Sequence, residues 1–367
     1  MTVHISAIVF GTLVTSFAAF LLLFQTLISV DYRTSNAIIR STPAKSYENK
    51  ITQIKIFPQG GGDVPLKPPW PTPSVQIHQN ADLFVNDNSS RFIISNFSFA
   101  PGQGNIMFQY ASLFALAKRY QATLLIPEAI LLRRAFNLSA TVVSTAVHQR
   151  LLQDWPRIVF PDCCRYYNQS ESLTIRHHVI MGYFQSWRYF HPTYESQIRR
   201  EFEFLPAVQS LARGVLNEAL KFVKREVKTF VGIQIRRGMD VRWNLRNLEH
   251  GHTVATKRYF DNAMQYYRQR YPNVLFLVCS DDTHWCQENL DGEDVFVVTN
   301  TQREVDMSLL QMCNHTIMSQ GTFSWWAAYL KDAGRTVYYK SWPRPGSKMD
   351  TMLNKAQYFL PHWTAMD

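Results

Sequence analysis

Thr229–Asp240 reads TFVGIQIRRGMD: seven residues dominated by β-branched and aromatic types, then two arginines, a glycine, a methionine and an aspartate. Seven such residues suit a buried strand and are too few for a helix. Outward from it the pattern recurs. VLFLVCS (274–280), VFVVTN (295–300), HTIMSQ (315–320) and TVYYK (336–340) are further strand-like runs. Between them lie helical stretches, ATKRYFDNAMQYYRQRY (255–271), THWCQENL (283–290), VDMSLLQMC (305–313) and TFSWWAAYLKD (322–332). Five strands alternating with helices predict a doubly wound parallel sheet, in which ligands bind outside the carboxyl ends of the strands.

A second unit of this kind precedes it. RFIISNF (91–97) is strand-like, SFAPGQGN (98–105) a loop, and NIMFQYASLFALAKRY (105–120) sets Ile106, Tyr110, Leu113 and Ala117 on one helical face before the strand ATLLIP (122–127). Strand, loop, helix, strand is a βαβ unit. The α/β fold expected is two Rossmann-type domains facing a cleft, over residues 91–227 and 228–367.

Ahead of these domains the composition changes. From Ile5 to Val30 no residue is charged, a length above the roughly 20 residues a helix needs to cross a bilayer. This predicts a transmembrane signal anchor over 5–30 behind a cytoplasmic tail of residues 1–4. Residues 31–90, with FPQGGGDVPLKPPWPTP (57–73), read as a stem, because proline and glycine break regular structure. Glycosylation patterns begin at Asn88, Asn96, Asn137 and Asn168 and place the bulk of the chain in a lumen; a fifth, at Asn314, is flanked by apolar runs and is expected to be buried. The chain has five cysteines, an odd number that leaves at least one unpaired. Cys163 and Cys164 are adjacent and are not expected to bond each other.

A net charge of +10 points to an anionic partner, and the anchor and sequons argue against that partner being a nucleic acid. The strand ends say where an anion would sit. Arg236 and Arg237 can donate paired hydrogen bonds to phosphate, and alternation sends their side chains different ways; one of them could instead pair with Asp240. Ser280 and Asp281 follow the second strand, where a carboxylate can grip a ribose and Ser-Asp-Asp can also cap a helix. Ser319, Gly321, Thr322 and Phe323 open a helix whose backbone N–H groups can bind an anion. In the first domain Gly102 and Gly104 lack the third glycine of a dinucleotide fingerprint, and Asn105 is the candidate sugar or phosphate contact across the cleft. The chain has no Asp-x-Asp pair and no zinc-spaced Cys/His cluster, so arginines and helix ends would have to neutralise a diphosphate.

VGIQIRRG, CSDDTHWCQENL and MCNHTIMSQGTFSWWAAYL resemble the three C-terminal motifs of galactoside α-1,2-fucosyltransferases, glycosyltransferase family eleven. GQGNIMFQYASLFALA and GYFQSWRYFHPTYESQIRREFEF resemble that family upstream, so the likeness covers roughly residues 91–363. The resemblance implies a GT-B-like, type II Golgi membrane protein with a luminal catalytic domain. Its implied chemistry moves fucose from GDP-fucose, with inversion and without a required metal, to the 2-hydroxyl of a galactose-terminated glycan. Arg236 and Arg237 would serve the donor diphosphate. For the acceptor's base the candidate in this chain is Asp240, unless a strongly oxocarbenium-like sugar needs little base help. The family motif reads His-x-Arg-Arg-Gly-Asp; here Gln234 stands at the histidine position and Met239 is inserted before Asp240. That departure leaves a rival, a membrane-anchored glycan- or nucleotide-binding relative without catalysis. Tyr183, Phe184, Trp187 and Tyr189 form an aromatic segment that is either an acceptor wall or core.

Overall fold

The apolar runs become two parallel sheets, seen in a computed structural model that describes residues 68–97, 102–168, 176–331 and 333–367. These residues belong to one unit, Ile56–Asp367. The expected span 5–30, and the stem up to residue 67, lie outside the described residues. Among the described residues no helix is long and apolar enough to cross a membrane.

The N-terminal half runs β1 (Ile77–His78), α1 (Asp82–Val85), β2 (Phe92–Ile94), α2 (Gln103–Arg119), β3 (Thr123–Pro127), β4 (Thr141–Val143), α3 (Thr145–Asp154), β5 (Arg157–Val159), β6 (His177–Met181), α4 (Glu195–Glu201) and α5 (Pro206–Val223). Its sheet has the order β1-β4-β3-β2-β6-β5. The C-terminal half runs β7 (Thr229–Ile235), α6 (Met239–Arg242), α7 (Leu245–His250), α8 (Lys257–Arg268), β8 (Val274–Ser280), α9 (Thr283–Asn289), β9 (Val295–Val297), α10 (Arg303–Met312), β10 (His315–Met318), α11 (Thr322–Tyr329), β11 (Thr336–Tyr339), α12 (Lys348–Met352), α13 (Lys355–Tyr358) and β12 (Thr364–Met366). Its order is β12-β11-β10-β7-β8-β9. Counted from β7 this is 3-2-1-4-5-6, the dinucleotide-binding order, with its switch point between β7 and β10. All pairings in it are parallel, with Gln234 beside Met318 and Ile235 beside Ser280. A sixth strand, β12, joins the five expected.

Three expectations change. The ordered fold begins inside the segment read as stem: β1 pairs with β4, and Phe84 packs with Phe92 and Ile94. Helix α5, assigned by sequence to the first domain, lies along α10 of the second. Helix α2 is buried on all sides, not on one face. Fourteen of its seventeen residues are buried, because it is sandwiched between its own sheet and α11. The two sheets consequently share one hydrophobic core.

That shared seam is aromatic and is pinned by polar contacts. Phe108 of α2 meets Trp325 and Trp326 of α11 at centroid distances of 4.5 and 5.0 Å, and Trp326 Nε1 donates to Gly104 O at 3.0 Å. Farther along, buried Arg134 donates through Nε to Glu304 Oε1 at 2.7 Å and through Nη2 to Gln302 Oε1 at 3.1 Å. Trp70 Nε1 donates to Arg134 O. A buried ion pair of this kind fixes geometry more than it adds stability.

Contrary to the sequence expectation, Cys163 and Cys164 are joined in a disulfide. Their buried segment is held from both sides, by Gln185 N donating to Cys163 O and Asn354 N donating to Cys164 O. Cys279, Cys286 and Cys313 are buried thiols. Asn314 is exposed where burial was expected, since it stands just before β10; its Oδ1 accepts from Phe230 N at 2.8 Å, and its sequon residue Thr316 is fully buried. The side chains of Asn88, Asn137 and Asn168 are exposed and that of Asn96 is half-buried.

Candidate functional site

The carboxyl ends of β7 and β10 diverge at the switch point, and their loops are stitched together there. Arg236 N donates to Ser319 Oγ at 3.0 Å, which donates to Gln234 Oε1 at 3.2 Å. Gln320 Nε2 donates to Arg236 O at 2.8 Å. Gln234 points out of the strand toward β10 and is buried, so at the motif's histidine position it acts as a neutral acceptor that holds Ser319 under the arginine.

The two arginines part company, as strand alternation requires. The Arg236 guanidinium runs into the crevice beside Gly321, whose hypothetical Cβ would lie 3.3 Å from Arg236 Nη1. Gly321 has φ +92°, a conformation glycine adopts without strain, and a side chain there would crowd the cation. Arg236 Nη2 is bonded to the Asp240 carboxylate, one turn along in α6. Arg237 turns the other way: its guanidinium lies 3.9 Å above the Trp285 ring and its Nη1 donates to Ala255 O at 3.2 Å. Burial and the nearby Arg242 charge lower its pKa.

Ser280 and Asp281 serve the loop itself. Ser280 Oγ accepts from Asp282 N at 2.9 Å, Asp281 Oδ1 accepts from Arg237 N at 2.6 Å, and Asp282 caps α9 by accepting from Trp285 N. The structure therefore brings Arg236, Asp240, Ser319, Gly321 and Thr322 together, with the Asp281 carboxylate beside that of Asp240 at Gly238, while Arg237 turns away onto Trp285 and Ser280 serves the Asp282 turn. Phe323 is half-buried in the first turn of α11.

Two helix N-termini, one from each sheet, converge at this crevice. Neither Gly102 at the start of α2 nor Gly321 at the start of α11 supplies a side-chain cap, and uncapped N–H groups with the helix dipole favour an anion. The helices meet so closely that a Cβ on Gly104 would lie 2.6 Å from the Thr322 carbonyl carbon. Asn105, in the first turn of α2, accepts through Oδ1 from Thr322 Oγ1 at 2.8 Å and from Gln185 Nε2 at 2.9 Å. Its amide is thereby oriented from both sides.

Two residues that sequence reading missed feel the Arg236 charge. His252, half-buried after α7, has its pKa pushed down to about 4 by burial and by the charges of Arg236 and His250, against the opposing pull of Asp240. It is a neutral imidazole at any ordinary pH. Tyr358 is buried, its hydroxyl has no hydrogen-bond partner, and it feels the Arg236 charge while burial raises its pKa. No local motif marks either residue, because both reach the site from distant parts of the chain. Of the aromatic segment, Phe184 and Tyr189 are buried and Trp187 Nε1 donates to Phe359 O at 3.1 Å. That segment is largely core. Among the described residues no group of three or more His, Cys, Asp or Glu side chains is arranged to hold a metal.

Known proteins match along the same stretch. Residues 94–367 match the model of glycosyl transferase family 11. The chain is 32% identical over 278 residues to galactoside alpha-(1,2)-fucosyltransferase 1 of Oryctolagus cuniculus, covering 72% of this chain and 71% of that protein. Against galactoside alpha-(1,2)-fucosyltransferase 2 of Hylobates lar it is 32% identical over 276 residues, covering 72% and 76%. Among solved structures, POFUT1 in complex with GDP aligns at 12% identity with a TM-score of 0.46, covering 69% of this chain and 99% of that one. The E. coli heptosyltransferase WaaC with ADP aligns at 10% identity with a TM-score of 0.35, covering 70% and 89%. By sequence, the chain is a glycosyltransferase that belongs to glycosyl transferase family 11, among the galactoside α-1,2-fucosyltransferases.

Proposed function

We propose that this enzyme transfers L-fucose from GDP-fucose to the 2-hydroxyl of a galactose on a glycan, with inversion, as a GT-B-like transferase. The observation that carries the reading is the meeting of the Arg236 guanidinium with the uncapped N-terminus of α11 at the β7/β10 switch point. The GDP diphosphate sits there, against Arg236, Ser319, Gly321, Thr322 and Phe323, with Asn105 contacting the donor from the first domain. Arg237, Ser280 and Asp281 hold the loop's shape. Arginine and helix dipole neutralise the diphosphate in place of a metal.

As the bond from fucose C1 to the β-phosphate oxygen breaks, its electron pair stays with GDP, and Arg236 stabilises the growing charge. The acceptor 2-hydroxyl oxygen bonds to C1 from the opposite face and gives its proton to the Asp240 carboxylate. That step requires Asp240 to leave Arg236 when the diphosphate arrives. The setting proposed is the Golgi membrane, with residues 5–30 as anchor, the catalytic part luminal, and Asn88, Asn96, Asn137 and Asn168 as glycan carriers. Three of those four side chains are exposed.

The test is incubation of the full chain with GDP-fucose and a panel of β-galactosides, with the product linkage read by NMR. A fucose α-linked to galactose O2 is the expected product. Binding of GDP without transfer to any member of the panel would leave a nucleotide-binding relative and sink the enzymatic reading.

A further inference from the structure

Met239, Trp243 and Leu245 are 77%, 66% and 73% exposed, the three most exposed large apolar side chains among the described residues. They fall within seven positions, directly after the arginine loop. Scattered single apolar residues need no explanation, but three clustered beside a site do. We propose that they form the platform on which the galactoside acceptor rests, the C–H face of the sugar ring lying on the open face of the Trp243 indole. This inference deepens the fucosyltransferase reading above and rests on it.

The arrangement is braced to stay open. The Arg242 guanidinium lies 5.5 Å from the Trp243 ring centroid and is itself fixed, Nη1 donating to Asp282 Oδ2 at 2.9 Å. A cation held over an aromatic ring is an attractive contact, and it steadies the indole without burying it. Met239 opens α6 and Trp243 caps its end, four residues on. Trp243 N donates to Met239 O at 2.9 Å. The loop beyond is tied back, with Asn247 Nδ2 donating to Asp240 O at 2.8 Å and Asn244 Oδ1 accepting from Asn247 N at 3.2 Å.

Galactose suits this lip chemically. One face of its ring is lined with C–H groups, and its hydroxyls lie around the edge. A ring seated on Trp243 would turn an edge toward Asp240, which lies in α6 between Met239 and the C-cap Trp243. Of the other aromatic candidates, Phe184 and Tyr189 are buried in the core, and Tyr183 and Trp187 are half-buried against it. The Met239 insertion thus starts the apolar lip that receives the substrate.

The experiment measures initial rates of the full chain with GDP-fucose and phenyl β-D-galactoside, for wild type, Trp243→Ala, Trp243→Phe and the Met239→Ser/Leu245→Ser double variant. Losing a ring contact of this kind raises the acceptor KM about tenfold and leaves the donor KM within about twofold. Trp243→Phe recovers most of the loss, and the double variant shows a smaller rise in acceptor KM. An unaltered acceptor KM in Trp243→Ala overturns the proposal, as does a parallel rise in donor KM. A smaller sedimenting species in Trp243→Ala, or loss of binding to phosphatidylcholine vesicles by a solubilised chain, would assign the lip to a second copy or to a membrane and likewise overturn it. A wild type inactive on every galactoside sinks both readings; an active wild type with indifferent variants sinks only this one.

Discussion

Asp240→Asn is expected to strengthen GDP binding and weaken transfer, and those opposite signs make it the most informative substitution in the site. Asp240 is bonded to Arg236, so a diphosphate that uses Arg236 must displace it. The two side chains are 32% and 46% exposed, and pairs this open to water are worth about 0.2–1 kcal/mol. Asparagine keeps the shape and removes the competing charge. GDP affinity should therefore rise by a factor of roughly 1.5–5, and the difference should shrink as salt is raised, because exposed charges are screened. Transfer at saturating donor should fall by about 10²–10⁴, the loss of a general base. Calorimetry with GDP on the full chain and single-turnover transfer read the two quantities separately. Weaker GDP binding would mean that Asp240 positions Arg236 for the diphosphate instead of competing with it. Unchanged transfer would remove Asp240 as the base.

Arg236→Ala should lower turnover by about 10²-fold or more, with near-normal folding by circular dichroism; near-normal transfer would refute the charge-stabilising role. Gly104→Ala drives a Cβ to within 2.6 Å of the Thr322 carbonyl carbon, a backbone contact that cannot swing aside, and should cost about 1–3 kcal/mol by chemical denaturation. Glu304→Ala removes the carboxylate that balances the Arg134 charge in the core, where both side chains are under 5% exposed, and should cost about 3–5 kcal/mol; Arg134→Met with Glu304→Leu should restore much of that in the same assay. Lys331 is buried, and burial pushes its pKa down from 10.5 to about 7. Between those values the unfolded chain holds a proton that the folded one has shed, so stability rises with pH from about 7 to 10.5. Lys331→Met should raise the melting temperature at pH 7 and flatten that rise. An unchanged pH dependence would show that the amine finds water.

Legibility in the sequence followed the range of the interactions. Strands β7 and β8 begin and end where their apolar runs do, because a fully buried strand must be apolar along its length. Strands β1 and β12 escaped notice: they are short edge strands whose residues are half-buried or exposed, so no apolar run announces them. Helix α2 read as one-sided because its second partner, α11, lies more than 200 positions along the chain.

The arginine pair was legible in the same local way. Its division was not: which cation enters the crevice depends on Ser319 and Gln320 just after β10 and on Trp285 from α9. His252 and Tyr358 illustrate the limit most plainly, since each comes within range of the Arg236 charge only through the fold. The motifs by themselves determined the family, the parallel sheets and the strand end where an anion would be met, because periodicity and short motifs are properties of neighbouring residues. The tertiary structure alone decided that Arg236 is held by Asp240, that Arg237 is spent on Trp285, and that Met239, Trp243 and Leu245 stand together in water. The Arg237–Trp285 contact joins distant segments, which only packing brings within bonding range; the other two are near in sequence, but side-chain direction and exposure there follow from how the loop packs on the sheet.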